Sequence, residues 1–208
     1  MSTNKVNSNQ EDVQTVDDWL RARAAFITQP VAEGLARLNM HPNTLTIAGF
    51  VLNLAAGLIA ASGRVVGAGI VMLLASCIDG FDGALARTSG KQSRFGAFLD
   101  SSLDRLSEGA VLLGLLWWAM GQGQMLMAEL LGLILLGSVM VSYTRARAEG
   151  VGYACKVGLL TRPLRVALLG LGMLTPWLLS DLVVMAVLTW FTVAQRLAHV
   201  YAVSRQET

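Results

Sequence analysis

Six apolar stretches, at residues 45–62, 65–86, 96–120, 125–143, 166–179 and 182–201, follow one another with only short polar segments between most of them. Each approaches the ~20 residues that carry a helix across a hydrocarbon core, although the fifth is short and is expected to begin before Arg165. In lipid the backbone must satisfy its own hydrogen bonds, which leaves helices as the form for runs of this length. Composition supports the same choice: of 208 residues, 54% are hydrophobic and only 14% charged. The mean hydropathy is +0.54, too apolar for an ordinary soluble domain. The expected fold class is therefore an all-α integral membrane protein with six transmembrane helices, undivided by any repeat or low-complexity linker.

Ahead of the first span, residues 1–15 are polar and read as a disordered tail. Over residues 16–41, Trp19, Leu20, Ala24, Ile27, Val31, Leu35 and Leu38 recur at intervals near three and four, with Arg21, Arg23 and Arg37 among them. That pattern suits an interfacial amphipathic helix; a helix packed on the protein's own polar end would show it equally. Pro42 breaks the run, and Asn43 or Thr44 can cap the first spanning helix. The expected units are thus a tail (1–15), an interfacial helix (16–41), a six-helix domain (42–203) and a C-terminal tail (204–208). The turns on one side hold only Arg64, whereas the other side holds Arg87, Lys91, Arg94, Arg145, Arg147, Lys156, Arg162 and more. The cation-rich side is cytoplasmic by the positive-inside tendency, and so are both termini.

Four acids stand out against this background. Asp79 and Asp82 lie near the end of the second run, Asp100 and Asp104 near the start of the third. Intramembrane acids are costly and mark function by default. Spacings of three and four put each pair on one helix face. The short connection between the runs predicts antiparallel neighbouring helices on which all four acids converge. Such a cluster calls for neutralisation by cations. Oxygen donors without His or Cys favour a hard ion, Mg²⁺ or Mn²⁺, with room for two, and hard ions held by acids commonly organise phosphates. A divalent-cation transporter would also need acids, but broken helices or repeated halves are missing from the pattern.

The stretch reads D-x-x-D-G-x-x-A-R, eight residues, then G-x-x-x-D-x-x-x-D, through Asp79, Asp82, Gly83, Ala86, Arg87, Gly96, Asp100 and Asp104. It resembles the signature of the CDP-alcohol phosphotransferases, whose members move a phosphatidyl-type group from a CDP-linked lipid to an alcohol and release CMP. The resemblance implies that Asp79, Asp82 and Asp100 are metal ligands and Asp104 is the general base. It implies a CDP site lined by Gly83, Ala86 and Arg87, joined by Pro42, Asn43 and Thr46 of the P-N-x-L-T segment. It also implies a homodimer.

SYTRARAEG, CKVGLLTRPLR and DSSLDRLSEGAVLLGLLWW are similar to the subgroup that makes phosphatidylinositol phosphate from CDP-diacylglycerol and inositol 1-phosphate, or to its archaeal ether-lipid counterpart. Arg145, Arg147, Arg162 and Arg165 form a cationic set suited to an acceptor that itself bears a phosphate. Glycerol 3-phosphate, giving phosphatidylglycerol phosphate, is the alternative acceptor. Thr161 and Leu164 stand where the subgroup usually has acids, which unsettles acceptor contacts made through those places. Membrane lipids are further expected partners, and nucleic acid is not. Glu108, one turn beyond Asp104, needs a partner, either Arg105 or a polar group on another span.

Overall fold

The computed structural model describes residues 28–206, so the expected tail at 1–15, the stretch 16–27 of the expected interfacial helix and the last two residues lie outside the described residues. Among the described residues the secondary structure is helical throughout. Helix α1 covers residues 28–37 and is followed by α2 (Pro42–Ala61), α3 (Val65–Thr88), α4 (Arg94–Gly121), α5 (Met125–Gly150), α6 (Arg162–Leu174) and α7 (Leu178–Ser204).

Local chemistry sets the boundaries. The chain leaves α1 through Asn39 in the left-handed region, φ 54°. It enters α2 with Pro42 in the first turn and with His41, not Asn43 or Thr44, as the cap, its Nδ1 accepting from the Asn43 amide. Ser93 caps α4 by accepting from the Gly96 amide at 2.9 Å. Gly63, at φ +85°, turns α2 into α3, a conformation that side chains with a Cβ resist.

Helices α2, α3, α5 and α7 are long and apolar enough to cross a membrane. The six expected crossings are not reached on length and composition alone. Helix α4 carries Arg94, Asp100, Asp104, Arg105 and Glu108, and α6 has only 13 residues. As expected of the fifth run, α6 begins before Arg165. Large apolar side chains such as Leu58, Leu74, Leu113, Leu136 and Val187 face outward, as lipid rather than water requires.

Neighbours in the bundle follow a closed cycle: α2 packs on α3, α3 on α6, α6 on α7, α7 on α5, α5 on α4 and α4 on α2. The expected close pairing of α3 with α4 is therefore corrected: the two barely touch, because α2 lies between them. Small residues explain that wedge. Gly49, Asn53 and Gly57 repeat every four residues on the buried face of α2. A Cβ at Gly57 would meet the Ala110 carbonyl, and one at Gly114 would meet the Gly57 backbone, so the helices touch main chain to main chain. Helix α1 lays Ala32, Leu35 and Ala36 against Leu45, Ala84 and Leu85 of α2 and α3.

Candidate active site

The four acids meet at one end of the bundle, where α3 ends and α2, α4 and α6 begin, but they face two ways. Asp82 and Asp100 line a cavity of about 550 Å³ that also takes in Pro42, Asn43, Thr46, Gly83, Ala86 and Arg87. All six residues expected at the CDP site thus border one space. Lys91, Gln92 and Ser93 of the α3–α4 connection and Arg94 at the start of α4 also line it. Lys91 donates to Asn39 Oδ1 at 2.8 Å, tying the α3–α4 connection to the α1–α2 connection. Asp82 is buried and accepts from Thr46 Oγ1 at 2.6 Å. Gly96 keeps the wall thin, since a Cβ there would stand 3.2 Å from Asn43 Oδ1.

Asp79 and Asp104 turn instead toward α6. Arg162 Nη2 donates to Asp79 Oδ2 at 3.0 Å and Nη1 donates to Asp104 Oδ1 at 2.8 Å. One guanidinium therefore neutralises an acid from each motif half. Its Nε is buried and has no hydrogen-bond partner among the described residues.

No three acid, His or Cys side chains stand together as a ready metal-binding group among the described residues. The donor set nonetheless fits a hard divalent ion. Its donors are carboxylate oxygens, and a cation, the Arg162 guanidinium, already bridges two of them. Asp79, Asp82 and Asp100 are the residues that could hold such an ion.

The proposed acceptor cations separate. Arg162 joins the acids. Arg145 is half-exposed and paired with Glu149 at 2.9 Å, and Arg147 is exposed. Arg165 is sealed inside the bundle: its Nε and Nη2 donate to Glu108 at 2.7 and 2.9 Å, so it does not face an incoming acceptor. Glu108 thereby gains the partner its sequence position demanded, together with Ser138 Oγ of α5 at 2.9 Å, and Arg105 is not that partner.

Two contributors carried weak sequence signals. Gly49 matters because a Cβ there would overlap the Asp79 carboxylate; the four-residue spacing of Gly49, Asn53 and Gly57 is the trace that could have flagged it. Arg196 of α7 is buried and donates from Nε to the Val157 carbonyl at 2.9 Å and from Nη1 to the Val141 carbonyl. With Thr192, whose Oγ1 accepts from the Leu160 amide at 3.0 Å, it fixes the segment that delivers Arg162.

Known proteins resemble this chain in sequence and in overall fold. The CDP-alcohol phosphatidyltransferase family profile matches residues 39–198. An archaetidylinositol phosphate synthase of Pyrococcus horikoshii is 36% identical over 85% of this chain and 92% of its own length. A phosphatidylinositol phosphate synthase of Mycobacteroides abscessus is 36% identical over 85% of this chain and 84% of its own. The solved structure of Mycobacterium tuberculosis phosphatidylinositol phosphate synthase with CDP-DAG bound superposes with a TM-score of 0.79 at 34% identity, covering 85% of this chain and 94% of that one. The same enzyme in complex with manganese and citrate gives 0.77 at 33% identity, over 84% and 88%.

Proposed function

This chain belongs to the CDP-alcohol phosphatidyltransferase family, and we propose that within it the protein moves the phosphatidyl group of CDP-diacylglycerol onto inositol 1-phosphate, giving phosphatidylinositol phosphate and CMP. The observation that carries the reading is the two-sided acid cluster: Asp82 and Asp100 border the cavity, and Asp79 and Asp104 are bridged by Arg162. Relatives bearing the synthase name on both the bacterial and the archaeal side support the inositol phosphate acceptor.

These positions support the following chemistry. The nucleotide of the donor occupies the cavity between Thr46, Gly83, Ala86 and Arg87, with its diphosphate toward Asp82 and Asp100. Asp79, Asp82 and Asp100 would hold divalent ions, Mg²⁺ or Mn²⁺, two in number. Bound there, such ions draw charge from the diphosphate oxygens and ease departure of CMP. The acceptor's phosphate monoester offers Arg162 a doubly charged partner. Drawing the guanidinium away uncovers Asp104, which then takes the proton of the attacking hydroxyl. A new oxygen–phosphorus bond forms to the phosphatidyl phosphorus, the bond to the CMP oxygen breaks, and CMP leaves with its electron pair. Arg145 and Arg147 are the outer cations of the acceptor approach.

We extend the reading to the membrane. Helices α4 and α6 complete six crossings, α1 lies at the cytoplasmic interface, and both termini and the acids face the cytoplasm. Molecules pair as homodimers. The one-sided distribution of Lys and Arg supports the orientation.

Purified protein given CDP-diacylglycerol, Mg²⁺ and a panel of acceptors tests the assignment. CMP release is expected with inositol 1-phosphate and is abolished by chelator. Release with glycerol 3-phosphate alone would transfer the acceptor assignment to that compound.

A further inference from the structure

Helices α4 and α6 are not packing partners of any extent, yet two ionic rungs join them. The first is Arg162 to Asp104, 2.8 Å. The second lies one turn deeper on both helices, where Arg165 clamps Glu108 through two nitrogens at 2.7 and 2.9 Å. The rungs differ in setting. Side-chain exposure is 26% and 13% on the first but 2% and 6% on the second.

The sealed rung is braced from three further elements. Ser138 of α5 donates to Glu108 at 2.9 Å, and Arg165 Nη1 donates to the Leu160 carbonyl at 3.2 Å. The Leu160 amide in turn is held by Thr192 of α7. A buried ion pair is a poor source of stability, since apolar side chains of similar volume commonly pack as well. What a planar two-point pair supplies is direction: it fixes the angle and register of one helix against another. Here the register it fixes decides where Arg162, three residues before Arg165, comes to rest.

We infer that Glu108, through Arg165, is a positioning residue that sets α6 against α4 so that Arg162 reaches Asp79 and Asp104 and meets the acceptor phosphate. The inference rests on the reading above that Arg162 receives that phosphate. It does not depend on which phosphorylated alcohol is used.

The test uses the full chain in detergent, with CMP release as the readout and thermal unfolding measured in parallel. Glu108→Gln keeps the shape of the side chain but weakens its hold on Arg165. It should lower kcat/KM for the acceptor about ten- to a hundredfold, while KM for CDP-diacylglycerol stays within about threefold. Should that variant fold poorly, Glu108→Leu combined with Arg165→Met removes both charges and leaves neither buried alone. This pair should regain wild-type thermal stability without regaining acceptor kcat/KM. Recovery of both together, or an equal loss of donor and acceptor parameters in Glu108→Gln, overturns the inference. Wild-type protein is assayed with both inositol 1-phosphate and glycerol 3-phosphate. Activity with the second alone moves the acceptor assignment and the split is read on that substrate; activity with neither overturns the functional reading and this inference together.

Discussion

Replacing Gly49 by Ala tests whether the approach of α2 to α3 was shaped for the acid rather than for packing. An added Cβ would overlap Asp79 Oδ1 and stand 3.0 Å from Asp79 Cγ. The obstructing atoms end a side chain, so Asp79 can swing away without the helices parting, and the stability loss stays near the low end of the 1–3 kcal/mol typical of overpacking, about 1 kcal/mol. Swinging breaks the 3.0 Å bond to Arg162 and moves a proposed metal-binding carboxylate. Misplacement by about an ångström costs about a hundredfold in turnover. Gly57→Ala is the counterpart: its Cβ meets the Ala110 carbonyl, which belongs to a helix and cannot swing. That variant is expected to lose about 2–3 kcal/mol. Gly132, with nothing within 4 Å of a Cβ, supplies a control that should be neutral or gain up to about 1 kcal/mol. CMP release and thermal unfolding on the three variants decide the matter. If Gly49→Ala keeps kcat/KM within about threefold of wild type, or loses activity only in proportion to stability as Gly57→Ala does, the argument fails.

Asp104→Asn should reduce CMP release by about 10²–10⁴-fold while Mn²⁺ binding, followed by electron paramagnetic resonance, persists; full activity would remove Asp104 from the proton-accepting role. Arg162→Ala removes a cation that competes with metal for Asp79. A unit charge about 4 Å away in a partly screened site is worth about 4 kcal/mol before compensation, so Mn²⁺ affinity without substrate should rise at least about tenfold. Turnover with a phosphorylated acceptor should fall in the same variant. Burial pushes the Cys155 thiol up, against the nearby Arg196 and Arg145, and the residue is fully buried. Its thiolate is therefore scarce at neutral pH and becomes populated only under more alkaline conditions. Maleimide labelling and subsequent mass spectrometry should find Cys155 unmodified at pH 7 until the protein is denatured.

The four acids were legible because their information is local: two pairs at helical spacing, joined by a short connection, announce themselves in any oily chain. The lining residues from Pro42 to Thr46 were legible only through the family pattern, since nothing in their spacing says that α2 turns that end toward Asp82. The α3–α4 pairing is misleading in the sequence because a five-residue connection at 89–93 favours adjacent helices, whereas the small face of α2 lets a third helix enter between them. The arginines of the TRPLR stretch show the remaining limit. Arg162 and Arg165 are three residues apart and alike in sequence, yet one bridges Asp79 and Asp104 and the other is sealed against Glu108. The difference depends on the depth of each turn in the bundle, and contacts spanning 83 and 57 residues of chain leave no local trace.

Product analysis under competition decides which acceptor the protein uses. Purified protein receives CDP-diacylglycerol, Mg²⁺ and equal concentrations of inositol 1-phosphate and glycerol 3-phosphate, and the lipid products are weighed by mass spectrometry. Phosphatidylinositol phosphate as the dominant product is the predicted result. Phosphatidylglycerol phosphate as the dominant product would contradict it.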